Sequence, residues 1–134
     1  MEIQVSFPGG AKVDAAFGPY VVRTDQPPQG GGEGSAPTPF HMFLASIATC
    51  AGIYVLGFLR QRGIPSEGVR LVQRADHNRA TGMVEQVEIV IEVPQGFPEK
   101  YLPALIRSAE QCAVKKHLAQ PPEFSFSTRS AGQG

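Results

Sequence analysis

The chain has 134 residues, with 12 Lys plus Arg balancing 12 Asp plus Glu for a formal net charge of zero. That length suits one hydrophobic core, and the balance leaves no long-range field to draw in nucleic acid or an anionic membrane. "MEIQVSFPGG" lacks the basic and apolar regions of a secretory signal, so the cysteines, Cys50 and Cys112, are expected in a reducing cytoplasm, where a purely structural disulfide is disfavoured.

In chain order, "IQVSF" and "KVDAAF" alternate apolar and polar residues around Pro8 to Gly10, which predicts a hairpin, and "YVVRT" adds a third strand after Gly18-Pro19. The Pro- and Gly-rich "TDQPPQGGGEGSAPTP" reads as a loop. It resembles a phosphate loop, but no Gly-Lys-Ser/Thr follows Gly34, so nucleotide binding is set aside and Glu33 is read as a solvated residue.

The next segment carries the chain's best helix signals: Thr38 as N-cap, Pro39 at the first helical position and Gly63 as terminator. The helix between them is apolar on all sides and long enough to cross the fold. His41, Ser46, Thr49, Gly52 and Gly57 dilute it, and the remaining elements are amphipathic strands, so it is read as a buried central helix rather than a membrane span. "VRLVQRA" and "MVEQVEIVIEV" then predict a long antiparallel hairpin around "DHNRATG". "PEKYLPALIRSAE" returns to a helical period, "AVKKHL" forms a shorter helical turn after Cys112, and "EFSFST" predicts a closing strand. The fold class is α+β, one domain over residues 1–134, with an antiparallel sheet of about six strands.

Read by residue type alone, the two thiols divide in a definite way. Cys112 opens a short helical turn followed by Lys115 and Lys116, and a helix start with nearby cations favours a thiolate. Cys50 lies mid-helix, where the dipole helps little, and reads as a small buried hydrophobe. His41 sits nine residues before Cys50, roughly 13 Å of helical rise. It reads as part of the helix start sooner than as a proton acceptor for the thiol. Cys112 and His117 are five apart, a poor spacing for two ligands on one helical face, and His77 lies in a turn. No metal or other cofactor is expected.

Pro37-Thr38-Pro39, the small-residue apolar stretch ending at Cys50, the "RQRGI" turn, the hairpin and the second cysteine in "SAEQCAVKKHL" together resemble the OsmC/Ohr family of cysteine-based proteins. The resemblance covers nearly the whole chain and lies closest to the less characterised OsmC-like branch. It implies an intertwined homodimer around two long central helices, and reduction of organic hydroperoxides by a two-cysteine mechanism with a dithiol as reductant. Cys50 matches the position of the family's peroxide-attacking cysteine and Cys112 that of its resolving cysteine.

The pattern departs at the groups that orient the thiolate. Where the peroxidase subgroups resemble one another in an arginine near the first hairpin turn, this chain has "GGAK", so Lys12 is the nearest cation, with Arg23 on the third strand as a substitute. Phe40 and His41 stand where a carboxylate is expected, and Ala113 where Pro is common after the second cysteine. The candidate site is therefore Cys50 and Cys112, supported by Arg23, Lys12, His41 and Lys115. Beside the peroxidase reading stand two others: an OsmC-like sensing or apolar-ligand-binding dimer, and an interaction protein with inert thiols. An approach to Cys50 lined by Met42, Phe43, Ile47 or Tyr54 would favour bulky substrates over hydrogen peroxide.

Overall fold

The computed structural model describes residues 1–132, in the order β1 (Gln4–Gly9), β2 (Lys12–Phe17), β3 (Tyr20–Thr24), α1 (Pro39–Gln61), β4 (Arg70–His77), β5 (Val84–Glu92), α2 (Leu102–Ala109) and α3 (Ala113–Ala119). Strands β1, β2 and β3 form one antiparallel sheet in that order, and β4 pairs with β5 in a second. This is an α+β architecture, with five strands in two sheets among the described residues where about six in one sheet were expected.

The missing strand is "EFSFST". Its period-2 pattern is present, but no strand lies beside it, and Phe124 and Phe126 are exposed. An extended segment without a neighbour has no ladder to join, so alternation alone does not make a strand.

Helix α1 begins and ends as its sequence dictates. The Thr38 side chain accepts from the His41 backbone N–H at 3.1 Å, and Pro39 occupies a position where its lost donor costs nothing. At the other end, Gly63 takes a φ of +64°, Ile64 N–H donates to the Leu59 carbonyl at 2.9 Å and Gly63 N–H to that of Arg60 at 3.2 Å. These are the paired bonds of a Schellman motif, which needs a left-handed residue at that position and so favours glycine. Ser46 and Thr49 turn their hydroxyls onto the helix's own carbonyls, which lets polar residues sit in an apolar helix.

The helix is long and apolar enough to cross a membrane, but it packs along one side against α2, α3 and β4. Only one stripe is buried, Ile47, Ala51, Val55, Phe58 and Leu59, while Phe40, Phe43, Ile53 and Tyr54 stay exposed. The fully buried central helix expected from its composition is thus half bare within one chain, because three elements cannot enclose an all-round apolar helix. Val55, Phe58, Leu59 and Leu105 form the core, closed by Leu71 of β4, Ile91 of β5 and Tyr101. Gln73 of β4 ties the hairpin to α1 by donating to the Leu44 carbonyl at 2.9 Å.

The first sheet stands apart from this core and makes no substantial packing against α1. The loop that joins them is organised by Asp25, buried among mostly exposed neighbours. Its carboxylate accepts from Ser35 Oγ at 2.6 Å and from the backbone N–H groups of Ser35, Gln26 and Glu33, which hold its pKa down to about 2. Glu33 is exposed, as read from sequence, and pairs with Lys12 at 3.0 Å.

Candidate thiol active site

The break between α2 and α3 brings the two cysteines together. Helix α2 ends at Ala109, and Cys112 turns the chain into α3, so that the first backbone N–H groups of α3 face α1 at Cys50. Cys112 is buried, its Sγ lying 3.9 Å from the Ile47 carbonyl one turn before Cys50, while Cys50 itself is half-buried. Both thiols are free, and each lies close enough to the other to shift its acidity.

Their surroundings push the two sulfurs in opposite directions. The Val114 backbone N–H does most to draw the Cys50 thiol below its ordinary pKa, with help from the Cys112 thiol and the Ala113 N–H; partial burial opposes this. Cys112 is pushed up, above all by burial; the Lys115 N–H pulls it back most, Cys50 adds to the rise, and the Val114 N–H pulls back less. The signs make Cys50 the more acidic of the two thiols.

Residue type alone points the other way. The start of α3 supplies polarised amides to both sulfurs, but Cys112 is buried and Cys50, 62 positions earlier, is not, so the amides lower Cys50 while burial outweighs them at Cys112. Of the two α3 lysines, Lys115 lines the neighbouring cavity and Lys116 does not.

The other expected site residues are not gathered around the thiols. Lys12 is held by Glu33, and Arg23 is exposed on the edge strand β3; both belong to the first sheet. His41 is exposed, its backbone N–H engaged by the Thr38 cap. His77 ends β4 and meets Phe40 edge-on at 6.3 Å, and His117 folds onto the Ala113 carbonyl at 2.6 Å. Among the described residues no group of three or more His, Cys, Asp or Glu side chains is placed to hold a metal ion.

An apolar cavity of about 720 Å³ meets α1 at Ile47 and Ala51, and neither cysteine lines it. Ile47 and Ala51, which flank Cys50, form one wall; β5, α2, and Lys115 and Leu118 of α3 form the rest. Of the residues expected to line an approach, only Ile47 does so, while Tyr54 borders a smaller hollow with Ile53, Gly57 and Phe58.

Comparison with known proteins completes the picture. The family model for OsmC-like protein matches residues 32–127. The chain belongs to the OsmC-like family. Its fold is similar to that of an osmotic-stress-induced and detoxification response protein from Psychrobacter arcticus 273-4, at TM-score 0.71 and 22% identity over 85% of each chain. It is also similar to a hypothetical protein from Aquifex aeolicus VF5, at TM-score 0.66 and 17% identity over 90% of this chain and 87% of that one. A further structure, that of an organic hydroperoxide resistance protein OsmC from Legionella pneumophila described as a predicted redox protein, matches at TM-score 0.54 and 20% identity over 88% of this chain and 89% of its own. No curated protein matches the chain.

Proposed function

We propose that this OsmC-like protein is a two-cysteine peroxidase that reduces organic hydroperoxides in the cytoplasm and is restored by a dithiol. The observation that carries the reading is the opposed pair of sulfurs, Cys50 drawn toward the thiolate by the Val114 N–H and Cys112 kept as a thiol by burial. The Cys50 thiolate attacks the distal peroxide oxygen. An S–O bond forms, the O–O bond breaks, and the alkoxide takes up a proton to leave as an alcohol. The Cys112 sulfur then attacks the Cys50 sulfenic acid; an S–S bond forms, and hydroxide departs as water with the Cys112 proton. A dithiol reduces the disulfide by exchange.

The missing family arginine and carboxylate bear on this scheme. Within one chain the amides of α3 and the cation of Lys115 are the positive groups at hand, whereas Lys12 and Arg23 would have to arrive from the first sheet of a second copy. A homodimer is part of the proposal. What supports it is the bare side of α1 together with exposed Ile3, Val5, Phe7, Tyr20 and Val21 on or next to the first sheet.

The apolar cavity favours a second reading, an apolar-ligand-binding or sensing dimer whose thiols oxidise only incidentally. Consumption of cumene hydroperoxide and of hydrogen peroxide with dithiothreitol separates the two. Turnover that prefers the organic peroxide and is lost in Cys50→Ser supports the peroxidase; absence of turnover with either peroxide leaves the ligand-binding reading.

A further inference from the structure

The loop between β3 and α1 is closed at its base. Asp25 directly follows the last residue of β3, Pro37 directly precedes the N-cap Thr38, and the Asp25 backbone N–H donates to the Pro37 carbonyl at 3.2 Å. Residues 26–36 therefore leave and return at one point, and they gather around the Asp25 side chain. Its Oδ2 accepts from Ser35 Oγ at 2.6 Å, from Ser35 N–H at 3.1 Å and from Glu33 N–H at 3.3 Å, while Oδ1 accepts from Gln26 N–H at 2.7 Å. Gly34 N–H donates to the Gln26 carbonyl at 2.9 Å, and the Lys12–Glu33 pair ties the loop to β2. A buried carboxylate is costly without its donors, so these bonds hold or open as a group.

What this joint positions is the first sheet, which has no substantial packing on α1 to hold it. The strand register puts Val5, Ala15 and Val22 in one cross-strand row and Phe17 and Tyr20 in another on the same face, whereas Ser6, Asp14 and Arg23 share the opposite face. The apolar face is uncovered within the chain, with Val5 and Tyr20 exposed, and a small sheet needs such a face packed. The bare side of α1 in a second copy has the character to cover it. A sheet on a free loop would have to be fixed in direction at every encounter, which costs affinity.

We propose that the Asp25 cluster is an assembly device, a rigid joint that holds the first sheet at a set angle to α1 before a second copy arrives. Asp25 is then a positioning residue for the dimer, acting through the sheet and touching no partner itself. This deepens the dimer reading and rests on it.

Sedimentation velocity over a dilution series of the reduced full-length protein, at a temperature where every variant is folded, tests the proposal. Asp25→Asn keeps the size of the side chain and removes the charge that gathers the donors; Ser35→Ala removes one donor. Freeing the backbone of a single residue costs about five- to thirtyfold in an equilibrium constant. A dimer orders two joints, so Asp25→Asn should raise Kd by at least about 25-fold, and Ser35→Ala by less. Hydrogen exchange across residues 26–36 should speed up in both variants. Val69→Ala, which trims a side chain packed on the core, should lower the melting temperature yet leave Kd within about twofold. Kd unmoved by Asp25→Asn and by Ser35→Ala overturns the inference and leaves the dimer intact. Kd raised as much by Val69→Ala as by Asp25→Asn also overturns it, because general destabilisation then suffices. A wild type that stays monomeric up to millimolar concentration overturns the inference and the dimer together, while consumption of cumene hydroperoxide still decides the peroxidase on its own.

Discussion

Replacing Cys112 with Ala removes the buried S–H that faces Cys50 while leaving the Val114 N–H in place. A hydrogen bond to a charged group is worth about 1.5–3 kcal/mol; a thiol is a weak donor and Cys50 is half-buried, so about 1 kcal/mol is the reasonable figure. At 25 °C that is about a fivefold fall in the acid-dissociation constant of Cys50. The sign follows from the direction of the shift. Cys50 lies below the ordinary thiol range, so wild-type alkylation should already be fast at pH values where a free cysteine is mostly protonated, and Cys112→Ala should move that rise to higher pH. Alkylation of Cys50 by iodoacetamide, followed by mass spectrometry from pH 5 to 9, reads both effects. A Cys50 rate unchanged or increased in Cys112→Ala, or faster labelling of Cys112 than of Cys50 in the wild type, refutes the donor assignment.

Asp25 has its folded pKa depressed to about 2, so its contribution to stability is present above the ordinary carboxylate range and lost as pH falls from about 4 toward 2. Thermal melts should fall across that window, and Asp25→Asn should lower the melting temperature at neutral pH and flatten the acid dependence. Gly32→Ala places a Cβ 2.0 Å from the Gln26 carbonyl oxygen and 2.6 Å from Asp25 Oδ1; denaturant titration should show a loss of about 1–3 kcal/mol, as for other overpacked sites. Leu59→Ala, in a core with few buried side chains, should cost about 2–5 kcal/mol by the same assay. Light scattering should give a particle of about 29 kDa from the 14.4 kDa chain, and a stable monomer at micromolar concentration contradicts the dimer.

Local signals made much of the fold legible. Thr38, Pro39 and Gly63 define α1 because caps and terminators act within a few residues of themselves. The two hairpins were equally readable, since Pro8 to Gly10 and the "DHNRATG" turn separate alternating runs. What the sequence hid is non-local. "EFSFST" has strand periodicity, but pairing depends on a neighbour that periodicity does not reveal. Asp25 carries no local signal, and only the return of the chain at Ser35 makes it the centre of a buried hydrogen-bond cluster. In the candidate site, Lys115 and Lys116 suggested an activated Cys112. The α3 amides reach both sulfurs, and the burial of Cys112, which residue type does not reveal, leaves Cys50 the more acidic. Glu110 carried no motif at all; its place on the cavity wall follows from where α2 stops.

The central claim is that Cys50 and Cys112 act as one redox unit, and non-reducing peptide mapping after a single equivalent of cumene hydroperoxide tests it most directly. The wild type should lose both thiols and yield an intramolecular Cys50–Cys112 peptide pair. Cys112→Ser should stop at an oxygen adduct on Cys50, and Cys50→Ser should remain unoxidised. Both thiols still free in the wild type, or oxidation at Cys112 that persists once Cys50 is removed, would contradict the account.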